Sequence, residues 1–129
     1  MNLFKKIFNL KTSETIKEDK SFEEIYTDLG MFEYNEQGFK FTSKDSENFI
    51  KWTDIEEINA YKKDVYAYDL IMMEICLGEN TLIINEETPG WFQLVIKLKE
   101  MFPNIPKDWE MKITQPPFAK NYTNILKKA

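Results

Sequence analysis

From Met31 to Asn85 the chain runs in short segments of alternating apolar and polar residues, and every link between segments is only a few residues long. Parallel neighbours need a connection of about a dozen residues or more. The segments must therefore pair with their sequence neighbours as an antiparallel meander. Met31–Tyr34 and Phe39–Phe41 flank Asn35-Glu36-Gln37-Gly38, a hairpin with a glycine-containing loop. Phe49–Trp52, Ile55–Lys63, Leu70–Leu77 and Thr81–Asn85 follow as further strands. Within Leu70–Leu77, Ile71, Met73, Ile75 and Leu77 share one face, and Leu70, Met72, Glu74 and Cys76 the other.

The period then changes. Pro89 suits a first helical turn, and Trp91, Leu94, Val95, Leu98 and Phe102 recur at helical spacing before Pro103 stops the pattern. Trp109–Ile113 reads as a last strand, and 118–128 as a short helix or a closing strand. With strands gathered before the main helix, the expected class is α+β: one domain over 21–129, an antiparallel and strongly bent sheet packed by one amphipathic helix at about 89–102. With 129 residues, 43% of them hydrophobic, the chain can build one core. Trp52, Trp91 and Trp109 are its natural anchors.

Residues 1–20 read as an amphipathic segment and a polar linker. On a helix, Asn2, Lys5, Lys6 and Asn9 form a polar stripe opposite Leu3, Phe4, Ile7 and Phe8. Such a helix either docks on its own domain or lies weakly in a membrane interface, with Leu3, Phe4, Lys5, Lys6, Ile7 and Phe8 as the contact residues. Asn2 excludes N-myristoylation, and the lysines interrupt any signal-peptide core. Beyond it, Ser21 and Glu24 fit a capping box for a short helix ending at Gly30, while Phe22–Tyr26 can also be read as a strand.

Composition excludes several functions. Histidine is absent and Cys76 is the one cysteine. That removes a disulfide framework, a Cys/His zinc site, a Ser-His-Asp triad and a Cys-His dyad. All 17 basic residues are lysines, and the net charge is −5. Residues 13–87 carry 7 lysines and 19 acids, net −12, and residues 88–129 carry net +4. Without arginine, and with an acidic centre, the chain is a poor nucleic-acid binder. No cofactor or metal motif is present, and the lone Cys76 in an apolar strand reads as an inert thiol.

The residues that stand out lie around one turn. Tyr61, Lys62, Asp64, Tyr66, Tyr68 and Asp69, with Glu74 on the next strand, combine acidic charge with tyrosines. Tyrosine supplies contact area at low entropic cost, and an acidic field attracts a basic protein. This predicts a non-enzymatic protein-binding patch. Two other readings stay open: a carboxylate-dependent hydrolase using Glu74, Glu86 or Glu87, and a membrane-associated adaptor using residues 1–10.

Trp52-Thr53-Asp54-Ile55-Glu56-Glu57-Ile58-Asn59-Ala60-Tyr61-Lys62-Lys63-Asp64, with Asp69-Leu70-Ile71, Glu74-Ile75, Glu86-Glu87, Gly90-Trp91, Trp109, Pro117-Phe118-Ala119 and Asn121-Tyr122-Thr123, resembles a pattern of small bacterial proteins. The resemblance covers about residues 32–127. Those proteins are similar to pleckstrin-homology-like or GRAM-like domains, and some are candidate immunity partners of secreted toxins. The resemblance implies a cytoplasmic protein, peripheral at the inner membrane face if residues 1–10 bind lipid, with a basic toxin as one class of partner. The basic phosphoinositide loop of that superfamily has no counterpart, because Asn35-Glu36-Gln37-Gly38 is acidic.

Overall fold

In the computed structural model, which describes residues 6–9, 23–24, 28–43, 45–65, 68–116 and 119–128, the alternating segments form two sheets rather than one bent sheet. Strands β2 (Phe32–Tyr34), β3 (Gly38–Ser43) and β4 (Ser46–Lys51) make an antiparallel three-stranded sheet. Strands β5 (Glu57–Asp64), β6 (Asp69–Leu77) and β7 (Asn80–Asn85) form the antiparallel meander at the centre of a five-stranded sheet. Its order is β1 (Lys6–Asn9), β7, β6, β5, β8 (Thr123–Lys127). The division falls at a 3-10 turn, Trp52–Asp54. There the Trp52 N–H donates to the Gln37 carbonyl, and Trp52 and Ile55 are both buried. Driving these two side chains inward ends the β4 ladder before β5 begins.

Two further expectations are corrected. Residues 6–9 form a strand, β1 (Lys6–Asn9), paired parallel to β7, and not a helical turn. The backbone groups on the open edge of β7 offer partners that a marginal, isolated helix lacks. Leu3, Phe4, Lys5 and Ser21 lie outside the described residues. Trp109–Ile113 is a short helix, α2, and not a strand. Trp109 and Ile113 are both buried while Met111 between them is 73% exposed; a strand would put all three on one face, and a helix turns Met111 away. The closing segment takes the strand alternative as β8 (Thr123–Lys127), antiparallel to β5 with a register shift between Ile58 and Asn59.

The main helix, α1 (Trp91–Met101), buries Trp91, Leu94, Val95 and Leu98, and Phe102 packs behind them. Its start is set by backbone contact. Gly90 sits at φ 91, and a Cβ there would lie 2.4 Å from the Leu29 carbonyl oxygen. Gly30, at φ 59, would place a Cβ 2.0 Å from the Pro89 carbonyl oxygen. Only glycine permits both the conformation and the approach. The Asn85 side chain accepts from the Glu87 N–H at 2.8 Å, closing the turn that leads into the helix.

The core lies between the sheets and α1. Phe39 is enclosed by Phe32, Phe41 and Trp52, with ring centroids 5.4–6.3 Å away. Trp91 meets Trp109 edge-on at 6.3 Å. Ile71, Met73 and Ile75 of β6 face this core, as their alternation requires. Among the described residues no helix is long and apolar enough to cross a membrane.

Candidate functional site

Strand alternation sends Glu57, Asn59 and Tyr61 of β5 away from the core. Their partners across the ladder are Cys76, Glu74 and Met72 of β6. Asn124 of β8 stands opposite Asn59 on the other side. The outward face at the centre of the sheet therefore combines carboxylates, amides and a tyrosine. Tyr122, just before β8, completes it. Its hydroxyl donates to Glu74 Oε1 at 2.5 Å, and its ring stacks on Tyr61 at 5.7 Å with planes 22° apart. Lys120 Nζ lies 5.2 Å from the Tyr61 centroid. The Asn124 amide donates to Glu57 Oε2 at 3.0 Å and to Asn59 Oδ1 at 2.9 Å.

Burial of the Tyr122 hydroxyl, reinforced by its hydrogen bond to Glu74, raises its pKa well above the ordinary phenol range. Burial and then the Glu74 charge raise that of Tyr61. Both phenols stay protonated at neutral pH. The stacked pair is thus a fixed, neutral aromatic platform in an acidic surround. Beside it opens a cleft of ≈ 440 Å³, bordered by Tyr61, Lys63, Asp64, Asp69, Met72 and Ile83 on the strands and by Ala119 and Lys120.

The residues singled out from the sequence are distributed unevenly. Tyr61, Asp64 and Asp69 border the cleft, and Glu74 joins the platform through Tyr122. Tyr68 is exposed at the end of β6 and donates to Glu87 Oε2 at 3.0 Å. Tyr66 lies outside the described residues. Lys62 requires a correction as a surface contact: it is 4% exposed. Its Nζ donates to the carbonyls of Thr114 at 3.0 Å and Pro116 at 2.5 Å, and lies 3.6 Å from Asp69 Oδ2. It holds the loop after α2 against the end of the sheet. Asn121 assists from the other side, its amide donating to the carbonyls of Lys112, Ile113 and Gln115.

Tyr122, Lys120 and Asn124 were not singled out, and Glu57 only as one of several carboxylates. Tyr122 stood in the recognisable Asn121-Tyr122-Thr123 stretch, but no periodicity links it to Glu74, 48 positions away. Of the carboxylates of the hydrolase reading, Glu74 accepts from Tyr122 on the sheet face, and Glu86 and Glu87 are engaged in turn contacts. Glu86 Oε1 accepts from the Ile71 N–H at 2.9 Å, and Glu87 accepts from Tyr68. Burial raises the Glu86 pKa. Of the membrane-contact candidates, Lys6, Ile7 and Phe8 lie in β1, opposite Asn80, Thr81 and Leu82 of β7. Among the described residues no three His, Cys, Asp or Glu side chains are grouped to hold a metal ion.

No protein-family model matches the chain, and no curated protein or solved structure gives a significant match.

Proposed function

We propose that this chain is a non-catalytic interaction module that binds a basic protein on the outward face of its five-stranded sheet. The observation that carries this reading is the platform itself. Tyr61 and Tyr122 are stacked in place and tied to Glu74 before any partner arrives. Contact residues already held in one rotamer lose little entropy on binding. The field around them is negative, since residues 13–87 carry net −12. An immunity-type domain that caps a basic toxin in the cytoplasm has this chemistry. The order of two antiparallel three-stranded meanders followed by a helix supports a pleckstrin-homology-like framework, extended by β1, α2 and β8.

The test is kinetic. The partner is captured from the native cell with the full chain and its binding rates are measured. Tyr61→Ala and Tyr122→Ala should each cost about 1–2 kcal/mol, chiefly as faster release. Asp64→Lys, on an exposed residue, should slow association and weaken its salt dependence. Folded variants that all keep the wild-type rates would sink the proposal.

A further inference from the structure

Strands β1, β2, β4 and β8 are the sheet edges among the described residues. An open edge presents unpaired N–H and C=O groups that can template another strand. In β4 those groups belong to particular residues. The Trp52 N–H donates to the Gln37 carbonyl, and a Cβ on Gly38 would meet the Ile50 carbonyl oxygen at 1.9 Å. Hydrogen-bonded pairs alternate along an antiparallel ladder. Ser46, Asn48 and Ile50 therefore turn their backbone groups to β3, opposite Ser43, Phe41 and Phe39. Glu47, Phe49 and Lys51 turn theirs outward, and among the described residues nothing bonds to them. The same three side chains share the exposed face of the small sheet, with Phe49 43% exposed. The Glu47 carboxylate lies 3.9 Å from Lys40, which sits closer to Glu33 at 2.8 Å. The Lys51 ammonium has no acidic partner among the described residues. The edge is its own complement about Phe49, with an acid two residues before it and a lysine two residues after. The other edges lack this pattern. β1 and β8 carry lysine and no acid, and β2 is three residues long.

We propose that β4 is a homodimer edge, pairing antiparallel with β4 of a second copy of this chain across a two-fold axis at Phe49. In that register Phe49 faces Phe49 of the partner subunit, and Glu47 faces Lys51 of the partner subunit on either side of the axis. Such a contact is isologous and closes at two copies. All the facing residues carry outward backbone groups, so each facing pair exchanges both of its N–H···O=C bonds. The two small sheets become one continuous sheet. The charge pattern names a second copy as the occupant. Residues 13–87 carry net −12, so two such chains repel each other over most of their surface. Ser46–Lys51 is locally neutral, and in the two-fold register each charge meets its opposite. Opposite-charge and aromatic pairs directly across a ladder stabilise it. A one-residue slip would set Glu47 against Ile50 and lose the charge pairs and the hydrogen bonds together. Strand β4 belongs to the sheet that does not carry Tyr61 and Tyr122, so this inference stands apart from the partner-binding reading.

Sedimentation equilibrium of the full chain at low salt should show a dimer that dissociates on dilution. The Glu47, Phe49 and Lys51 amides should exchange with deuterium more slowly in the dimer than in the dissociated chain. Glu47→Lys puts like charges across both outer pairs, and so does Lys51→Glu. Both positions are exposed, so the variants keep the fold. Each should weaken the dimer at least about tenfold. The two changes move the net charge in opposite directions, so general repulsion between acidic chains would weaken one and strengthen the other. Glu47→Lys combined with Lys51→Glu restores opposite pairs with the signs exchanged. That double variant should associate within about threefold of the wild type. A chain that stays monomeric at its highest soluble concentration, or a dimer in which those three amides exchange as fast as in the monomer, would overturn the edge. So would single variants that move in opposite directions, a double variant no tighter than the singles, or association that continues past the dimer.

Discussion

Replacing Lys62 with methionine tests how the face that carries Tyr61 and Tyr122 is assembled. Methionine keeps the length and the apolar stem of lysine and removes the ammonium. Three interactions go with it: donation to the Thr114 carbonyl at 3.0 Å, donation to the Pro116 carbonyl at 2.5 Å, and the ion pair with Asp69 at 3.6 Å. Removing one member of a fully buried ion pair costs about 3–5 kcal/mol, and a hydrogen bond to a charged group contributes about 1.5–3 kcal/mol. Relief is available here. Thr114 and Pro116 are exposed residues, so water can replace the ammonium at their carbonyls, and the Asp69 side chain keeps 17% of its accessibility. The net cost should therefore fall at about 2–4 kcal/mol. For a chain of this size that is a drop in Tm of roughly 10 °C. Urea unfolding with the adjacent, exposed Lys63→Met as control measures it, and the control should stay within about 0.5 kcal/mol. The loop released by the substitution leads into the segment that carries Tyr122. Lys62→Met should consequently also loosen the Tyr122 ring from Tyr61, seen as a changed ring-current shift in the NMR spectrum. A Lys62→Met protein as stable as the Lys63→Met control would refute the clamp.

Three further outcomes are expected. Burial raises the Glu86 carboxyl above the ordinary 4.5. The folded state thus holds this proton more tightly than the unfolded chain, and the resulting stability is present below pH 4.5 and lost as pH rises through the folded value. Glu86→Gln keeps an acceptor for the Ile71 N–H and has no charge to desolvate. It should raise Tm at pH 7 and match the wild type near pH 4, and a lower Tm at pH 7 would reverse the argument. Gly30→Ala places a Cβ against the Pro89 carbonyl oxygen at positive φ, and should destabilise by more than about 1 kcal/mol in denaturant melts. Phe39→Ala opens a cavity among Phe32, Phe41 and Trp52 and should cost about 3–5 kcal/mol, a loss that thermal unfolding reads directly.

Much of this fold was legible locally. The antiparallel runs β2–β3–β4 and β5–β6–β7 followed from period-two segments joined by links too short for a crossover, but the break between β4 and β5 did not. The inward face of β6 followed from its alternation, and α1 from five apolar residues at helical spacing between two prolines. Each is a property of neighbouring residues, which is what periodicity measures. The acidic, tyrosine-bearing end of the β5–β6 hairpin was legible for the same reason, since Tyr61, Asp64 and Asp69 sit close together in the chain.

What tertiary structure decided involves partners far apart in sequence. Residues 6–9 carry a helical pattern, yet they pair with β7, because an open strand edge outweighs the weak preference of so short a segment. Trp109–Ile113 became a helix, which carries Trp109 and Ile113 into the core and turns Met111, which a strand would place on the same face, out to solvent. Lys62 is a surface residue by composition. Carbonyls more than 50 positions away draw it inside, and only the folded chain brings them near. The outward sheet face owes its aromatic pair to the same cause. Tyr61 and Glu74 could be read from one hairpin, but Tyr122 joins them only after β8 closes the sheet. Hydrophobic patterning specifies which side of an element is buried. It carries no information about which distant polar group will meet which, and that matching determines the surface a partner would touch.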